Sequence, residues 1–123
     1  MIGYVTLGVK DMDAAKAFYG DLLADLGAKV LVDMDRIAMI GTSMDEPMVA
    51  VCLPYDGEPA HPGNGNMVAI KAGSKDNVDR LYHKALELGA RCDGEPGQRI
   101  PDLFYGAYVR DPDDNKVAFF VFG

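Results

Sequence analysis

One pattern occurs twice along this chain, and that repetition limits its possible folds more than any other feature. Tyr4-Val-Thr-Leu is followed by a helix-like stretch holding Phe18-Tyr19, and then by Leu26-Gly27-Ala28-Lys29-Val30. The second half offers Met67-Val68-Ala69-Ile70, then Leu81-Tyr82, then Leu88-Gly89-Ala90-Arg91-Cys92. Tyr4 and Met67 are 63 positions apart, as are Tyr19 and Tyr82, while Gly27 and Gly89 are 62 apart. Three matches in register point to a duplicated supersecondary unit, with one extra residue late in the first copy's helix.

Each copy can be read locally. Val5, Leu7 and Val9 alternate with Tyr4 and Thr6, the period of a half-buried strand. Asp11 is placed to cap a helix from Met12 to about Leu26, and Gly27 suits the left-handed position just past its end. Ala15, Phe18, Leu22 and Leu26 form its apolar stripe, helped by Tyr19 and Leu23. In the second copy Ser74 caps, Val78, Leu81, Ala85 and Leu88 form the stripe, and Gly89 closes it. Short strands are expected near Lys29–Val32, Ile37–Ile40 and Met48–Leu53, and again near Arg91–Cys92, Tyr105–Arg110 and Lys116–Phe122. Asp111-Pro112-Asp113-Asp114-Asn115 is turn chemistry, and the Gly- and Pro-rich stretch after Tyr55 reads as a connection. The expectation is one α+β domain over residues 1–123: a strand–helix–three-strand module at 1–57, a linker at 58–65 and a second module at 66–123. One helix covers only one face of each sheet. Pairing the modules would curve a mixed sheet around a shared cavity, the kind of concave site where small ligands bind.

Composition removes several classes of function. A net charge of −7 argues against nucleic acid, whose binding is driven by Lys and Arg releasing counterions. No apolar run approaches the ~20 residues of a membrane span. The N-terminal residues carry no signal-peptide pattern, so a cytoplasmic protein is expected. Cys52 and Cys92 have neither the spacing of a redox dithiol nor that of a zinc site. Cys52, within Met48-Val49-Ala50-Val51-Cys52-Leu53, reads as a buried small hydrophobe, and Cys92 has no partner in sequence that would activate its thiol.

With the tandem modules go an early Asp11…Phe18-Tyr19, a central Gly63-Asn64-Gly65, a late Arg110-Asp111-Pro112-Asp113-Asp114-Asn115 and a closing strand Val117 to Phe122. Together these resemble the vicinal oxygen chelate superfamily, which comprises glyoxalase (lactoylglutathione lyase), bleomycin resistance proteins and extradiol dioxygenases. The resemblance spans essentially the whole chain and implies the glyoxalase-like fold. Members that do chemistry resemble one another in holding a divalent metal such as Zn, Ni, Mn or Fe. Its ligands are typically a His on the first strand, a His or Gln on the first strand of module two and a Glu on the last strand. A further acid can come from the strand that closes module one. Strand parity carries these positions onto Tyr4, Met67, Ala118 and Ala50, none a strong divalent-metal ligand. No metal or other cofactor is therefore expected, and a homodimer is implied by the resemblance alone.

The cavity set by the same parity comprises Tyr4, Thr6, Met48, Cys52, Met67, Ala118 and Phe120, with Ala69, Lys71 and Phe122 alongside. Tyr108 joins them, because Ala107 and Val109 take the other face. Tyr4 reads more readily as a cavity-filling aromatic than as an acid–base phenol. Arg99, placed on a loop at Gly94–Pro101, reads either as a clamp for a substrate carboxylate or as an ordinary surface arginine. His61 in the linker and His83 on the second helix read as surface residues, and no catalytic residue is assigned. Two functions follow. One is metal-independent binding of a small organic molecule; the other is a metal-dependent lyase, isomerase or dioxygenase with atypical ligands.

Overall fold

The duplicated pattern becomes two four-stranded mixed sheets, each with one helix, in a computed structural model that describes residues 1–123. The chain divides into two compact units, Met1–Pro62 and Gly63–Gly123. In the first unit β1 (Tyr4–Gly8) leads into α1 (Met12–Leu23), and β2 (Lys29–Asp33), β3 (Ile37–Gly41) and β4 (Met48–Cys52) follow. Strand order is β1-β4-β3-β2, with β1 parallel to β4 and the other pairs antiparallel. The second unit repeats this with β5 (Val68–Lys71), α2 (Lys75–Glu87), β6 (Arg91–Ile100), β7 (Phe104–Arg110) and β8 (Lys116–Phe122), in the order β5-β8-β7-β6.

Both helices start at the expected caps. The Asp11 side chain accepts from the Ala14 amide and that of Ser74 from the Asn77 amide, each satisfying a backbone donor that has no partner within the helix. The extra residue of the first copy is taken up in a 3-10 turn, Ala24–Leu26, before Gly27 adopts φ 81°. Gly89 ends the second helix region in the same left-handed way, at φ 110°.

The cores lie between each helix and one face of its own sheet. In the first unit Phe18, Tyr19, Leu22 and Leu23 are buried together with Leu7, Val9, Ala38, Ile40 and Val51. In the second, Val78, Leu81, Tyr82 and Ala85 are buried with Ala107, Val109, Val117 and Phe119. Each large apolar side chain so covered contributes about 1.5–3 kcal/mol. Two polar bridges identify the helix-covered faces directly. Lys16 on α1 pairs with Asp33 on β2 at 3.0 Å, and the Tyr105 hydroxyl on β7 donates to Asp79 on α2 at 2.7 Å. Asp111 is buried in the β7–β8 turn, where its carboxylate accepts from the Asp113 and Asn115 amides and from Asn115 Nδ2.

Some local expectations need correction. The segment Gly94–Pro101 is not a loop, because β6 continues through it to Ile100. Register shifts at Cys92/Gly94, Gly94/Gly97 and Gln98/Ile100 absorb its irregular residues, and as an edge strand it tolerates Pro96. Arg99 therefore sits on a strand. Met67 lies just before β5 rather than within it. Cys52 is half-buried, because its strand turns it to the side that the helix does not cover.

Candidate functional site

Strand alternation leaves each unit with one sheet face that its helix does not cover. In the first unit the register pairs Tyr4 with Met48, Thr6 with Ala50 and Gly8 with Cys52. Ile37 and Met39 on β3 stand beside Cys52 and Ala50. The expected residues Tyr4, Thr6, Met48 and Cys52 thus share one face, on which β1, β4 and β3 put no charged side chain. Tyr4 is half exposed while Ala50 is completely buried. After β4 the chain folds back across one end of this face: a side chain at Gly8 would begin 3.0 Å from the β-carbon of Ala60.

The equivalent face of the second unit has different chemistry. Ala69 pairs with Ala118 and Lys71 with Phe120 across β5 and β8. Ala118 in turn faces Tyr108, Phe120 faces Gly106 and Phe122 faces Phe104 across β8 and β7. Phe104 and Phe120 stack at 5.3 Å with rings 4° from parallel, and Phe122 stands edge-on to both. Favourable aromatic pairs of this kind add about 0.5–1.5 kcal/mol beyond area burial. Two cations lie over the Tyr108 ring, the Arg99 guanidinium at 5.3 Å and the Lys116 ammonium at 5.2 Å. Tyr108 and Arg99 pack closely on the glycines of β6. A β-carbon at Gly94 would be 2.7 Å from the Tyr108 ring, and one at Gly97 would be 2.8 Å from the Arg99 guanidinium.

Charges on this second face are unevenly matched. Asp93 pairs with Arg110 at 3.0 Å and with Lys116 at 3.5 Å. Burial pushes the Asp93 carboxyl up, but Lys116 and Arg110 together outweigh it and hold the group below its ordinary value. Arg99 donates to the backbone carbonyl of Glu95 and pairs with no carboxylate. Lys71 is exposed and has no ion-pair partner. On the helix-covered side, a hydrogen bond with Cys92 raises the Tyr82 hydroxyl most; burial and the charges of Cys92 and Glu95 add to this and bring it to about 12.

A divalent cation of the kind the resemblance implies takes imidazole, carboxylate or thiolate donors. Ala50 and Ala118 occupy the same register position in their respective units, and each is fully buried. Tyr4, Thr6, Met67 and Ala69 complete the first-strand positions, and none offers such a donor. Cys52 is the one thiol on either face. No group of three or more His, Cys, Asp or Glu is gathered to hold a metal ion. These residues do not fit the cation.

Parity in the sequence thus puts Tyr4, Thr6, Met48 and Cys52 on one helix-free face and Tyr108, Ala118 and Phe120 on the other. Met67, half exposed, directly precedes β5 of the second unit. His61 and His83 are exposed. Phe104, Lys116, Arg110 and Asp93 were not expected at a site. Lys116 belongs to the same alternation as Ala118 and Phe120, so the signal for it was present. Asp93 is reached only because the bulge after Cys92 turns it, and a bulge has no sequence signal of its own.

Comparison with known proteins supports this geometry. The family model described as Glyoxalase/Bleomycin resistance protein/Dioxygenase superfamily matches residues 1–119. The crystal structure of a glyoxalase/bleomycin resistance protein from Albidiferax ferrireducens T118 is 31% identical, with TM-score 0.87 over 97% of this chain and 96% of that one. A glyoxalase-related enzyme from Fulvimarina pelagi has the same fold at 20% identity and TM-score 0.76, covering 98% of this chain and 86% of its own. So does a lactoylglutathione lyase from Agrobacterium tumefaciens, at 22% identity and TM-score 0.70, covering 98% and 92%. Comparison with curated proteins gives no match.

Proposed function

Because this chain belongs to the glyoxalase/bleomycin resistance protein/dioxygenase superfamily, we propose that it binds a small organic molecule on its helix-free sheet faces without a divalent metal. The observation that carries this reading is the pair of buried alanines. Ala50 and Ala118 stand where the resemblance puts carboxylates, and their methyl groups neither donate to a cation nor titrate. The side chains around them are those of a binding surface. Met48 and Met39 give an adaptable wall in the first unit, and Tyr108, Phe104 and Phe120 give a rigid aromatic one in the second.

The reading includes a cytoplasmic homodimer, which sedimentation velocity distinguishes from a monomer. No helix is long and apolar enough to cross a membrane. A thermal-shift screen of purified, chelator-treated protein against metabolites and antibiotics tests the binding itself. Ligands that raise the melting temperature in the presence of chelator are the expected result. Turnover of the methylglyoxal–glutathione adduct, appearing only on addition of Zn, Ni, Mn or Fe, would replace binding by the metal-dependent lyase reading.

A further inference from the structure

The two helix-free faces are built at equivalent registers but differ in charge, and that difference points to what the second one selects. In the first unit β1, β4 and β3 place only uncharged side chains on their face, and the edge strand β2 adds Lys29 opposite Gly41. In the second unit, in a protein of net charge −7, the equivalent face carries Lys71, Arg99, Lys116, Arg110 and Arg91 against the carboxylates of Asp93 and of Asp114, which pairs with Arg91. Asp93 is engaged by Arg110 and Lys116, which leaves Arg99 and Lys71 as cations unmatched by a carboxylate. They stand at opposite edges of the sheet, Lys71 on β5 and Arg99 on β6, and the row that runs from Lys71 through Phe120 and Gly106 to Gly97 puts an aromatic floor between them.

We infer that the helix-free face of the second unit takes a small aromatic carboxylate, its ring against Phe120 and Phe104 and its carboxylate on the Arg99 guanidinium. The inference rests on the binding function proposed above and adds the chemical class of the ligand. A planar guanidinium matches a carboxylate with two parallel N–H bonds, and the single bond from Arg99 to the Glu95 carbonyl leaves most of its donors unengaged. The guanidinium lies against Gly97, where a β-carbon would be 2.8 Å from it and displace it. The Tyr108 ring beneath Arg99 keeps the side chain on the face, which lowers the ordering cost of binding. A ring laid beside Phe120 and Phe104 meets the edge or offset face that aromatic pairs prefer.

Calorimetric titration of the full chain with 2-naphthoate and with neutral 2-naphthamide tests this. Naphthoate is expected to bind about tenfold or more tighter than the amide, with an advantage that shrinks as salt rises. Arg99→Met should remove most of that advantage, and Lys71→Met, at the far edge of the sheet, little of it. Lys75→Met, on the helix-covered side over Tyr105, should leave both ligands unchanged. Equal binding of acid and amide, or an advantage that survives in Arg99→Met, overturns the inference. If neither naphthalene compound binds while the screen yields ligands of another class, the inference fails and the binding function stands. If nothing binds at all, both fail.

Discussion

Single side chains decide the chemistry here, and Ala118 is the clearest case. It is fully buried, with Ala69 on one side and Tyr108 on the other. A carboxylate installed there starts from a fully buried β-carbon between an alanine and a tyrosine, with no cation opposite it in the register. Ala118→Glu is predicted to cost about 3 kcal/mol or more, the usual result of burying an unpaired charge. Chemical denaturation measures it, and an unchanged midpoint would show a position open to solvent. Asp111 is a second such residue. Removing an acceptor of three hydrogen bonds, as Asp111→Ala does, should cost about 2 kcal/mol and loosen the β7–β8 turn. Two titrations also belong at this scale. Asp93 is held below its ordinary 3.8, so its contribution is present above that value and is lost as pH falls through the lowered one. Wild type and Asp93→Asn should therefore differ modestly at neutral pH and converge in acid. Tyr82 has the opposite sign: its contribution is complete below 10.0 and disappears as pH rises toward about 12. Tyrosinate absorbance should show a late step that Tyr82→Phe abolishes.

At the scale of elements, what periodicity encodes was legible and what geometry adds was not. The helices were readable because capping residues, apolar stripe and terminal glycine agree at Asp11, Phe18–Leu22 and Gly27, and again at Ser74, Val78–Ala85 and Gly89. Alternation on β8 correctly turned Ala118 and Phe120 away from the helix, because a strand side chain has only two directions. β6 was read as a loop after Cys92 because Gly94, Pro96 and Gly97 are loop residues by composition. The structure uses them as bulges in an edge strand, which is how Arg99 and Asp93 reach the face of Tyr108. Filling one of these gaps should be costly. Gly94→Val sets a branched side chain against the Tyr108 ring and is predicted to lose about 1–3 kcal/mol by overpacking, measurable by urea denaturation. A wild-type midpoint in that variant would mean that β6 does not press on Tyr108.

At the scale of the whole molecule, the duplicated sequence becomes duplicated topology, down to the matching registers of Thr6 with Ala50 and Ala69 with Ala118. The repeat was visible because spacing survives where identity does not. Of the charge on the second face, Lys71 and Lys116 follow the strand alternation, whereas Arg99 and Asp93 reach it through the bulges of β6, which alternation does not encode. The central claim is that these faces bind a ligand without a metal. It is tested most directly by incubating the protein with excess Zn, Ni, Mn and Fe(II) in turn, removing unbound ion and measuring metal per chain. The account predicts well under one equivalent for every ion. One tightly held equivalent per chain would contradict it.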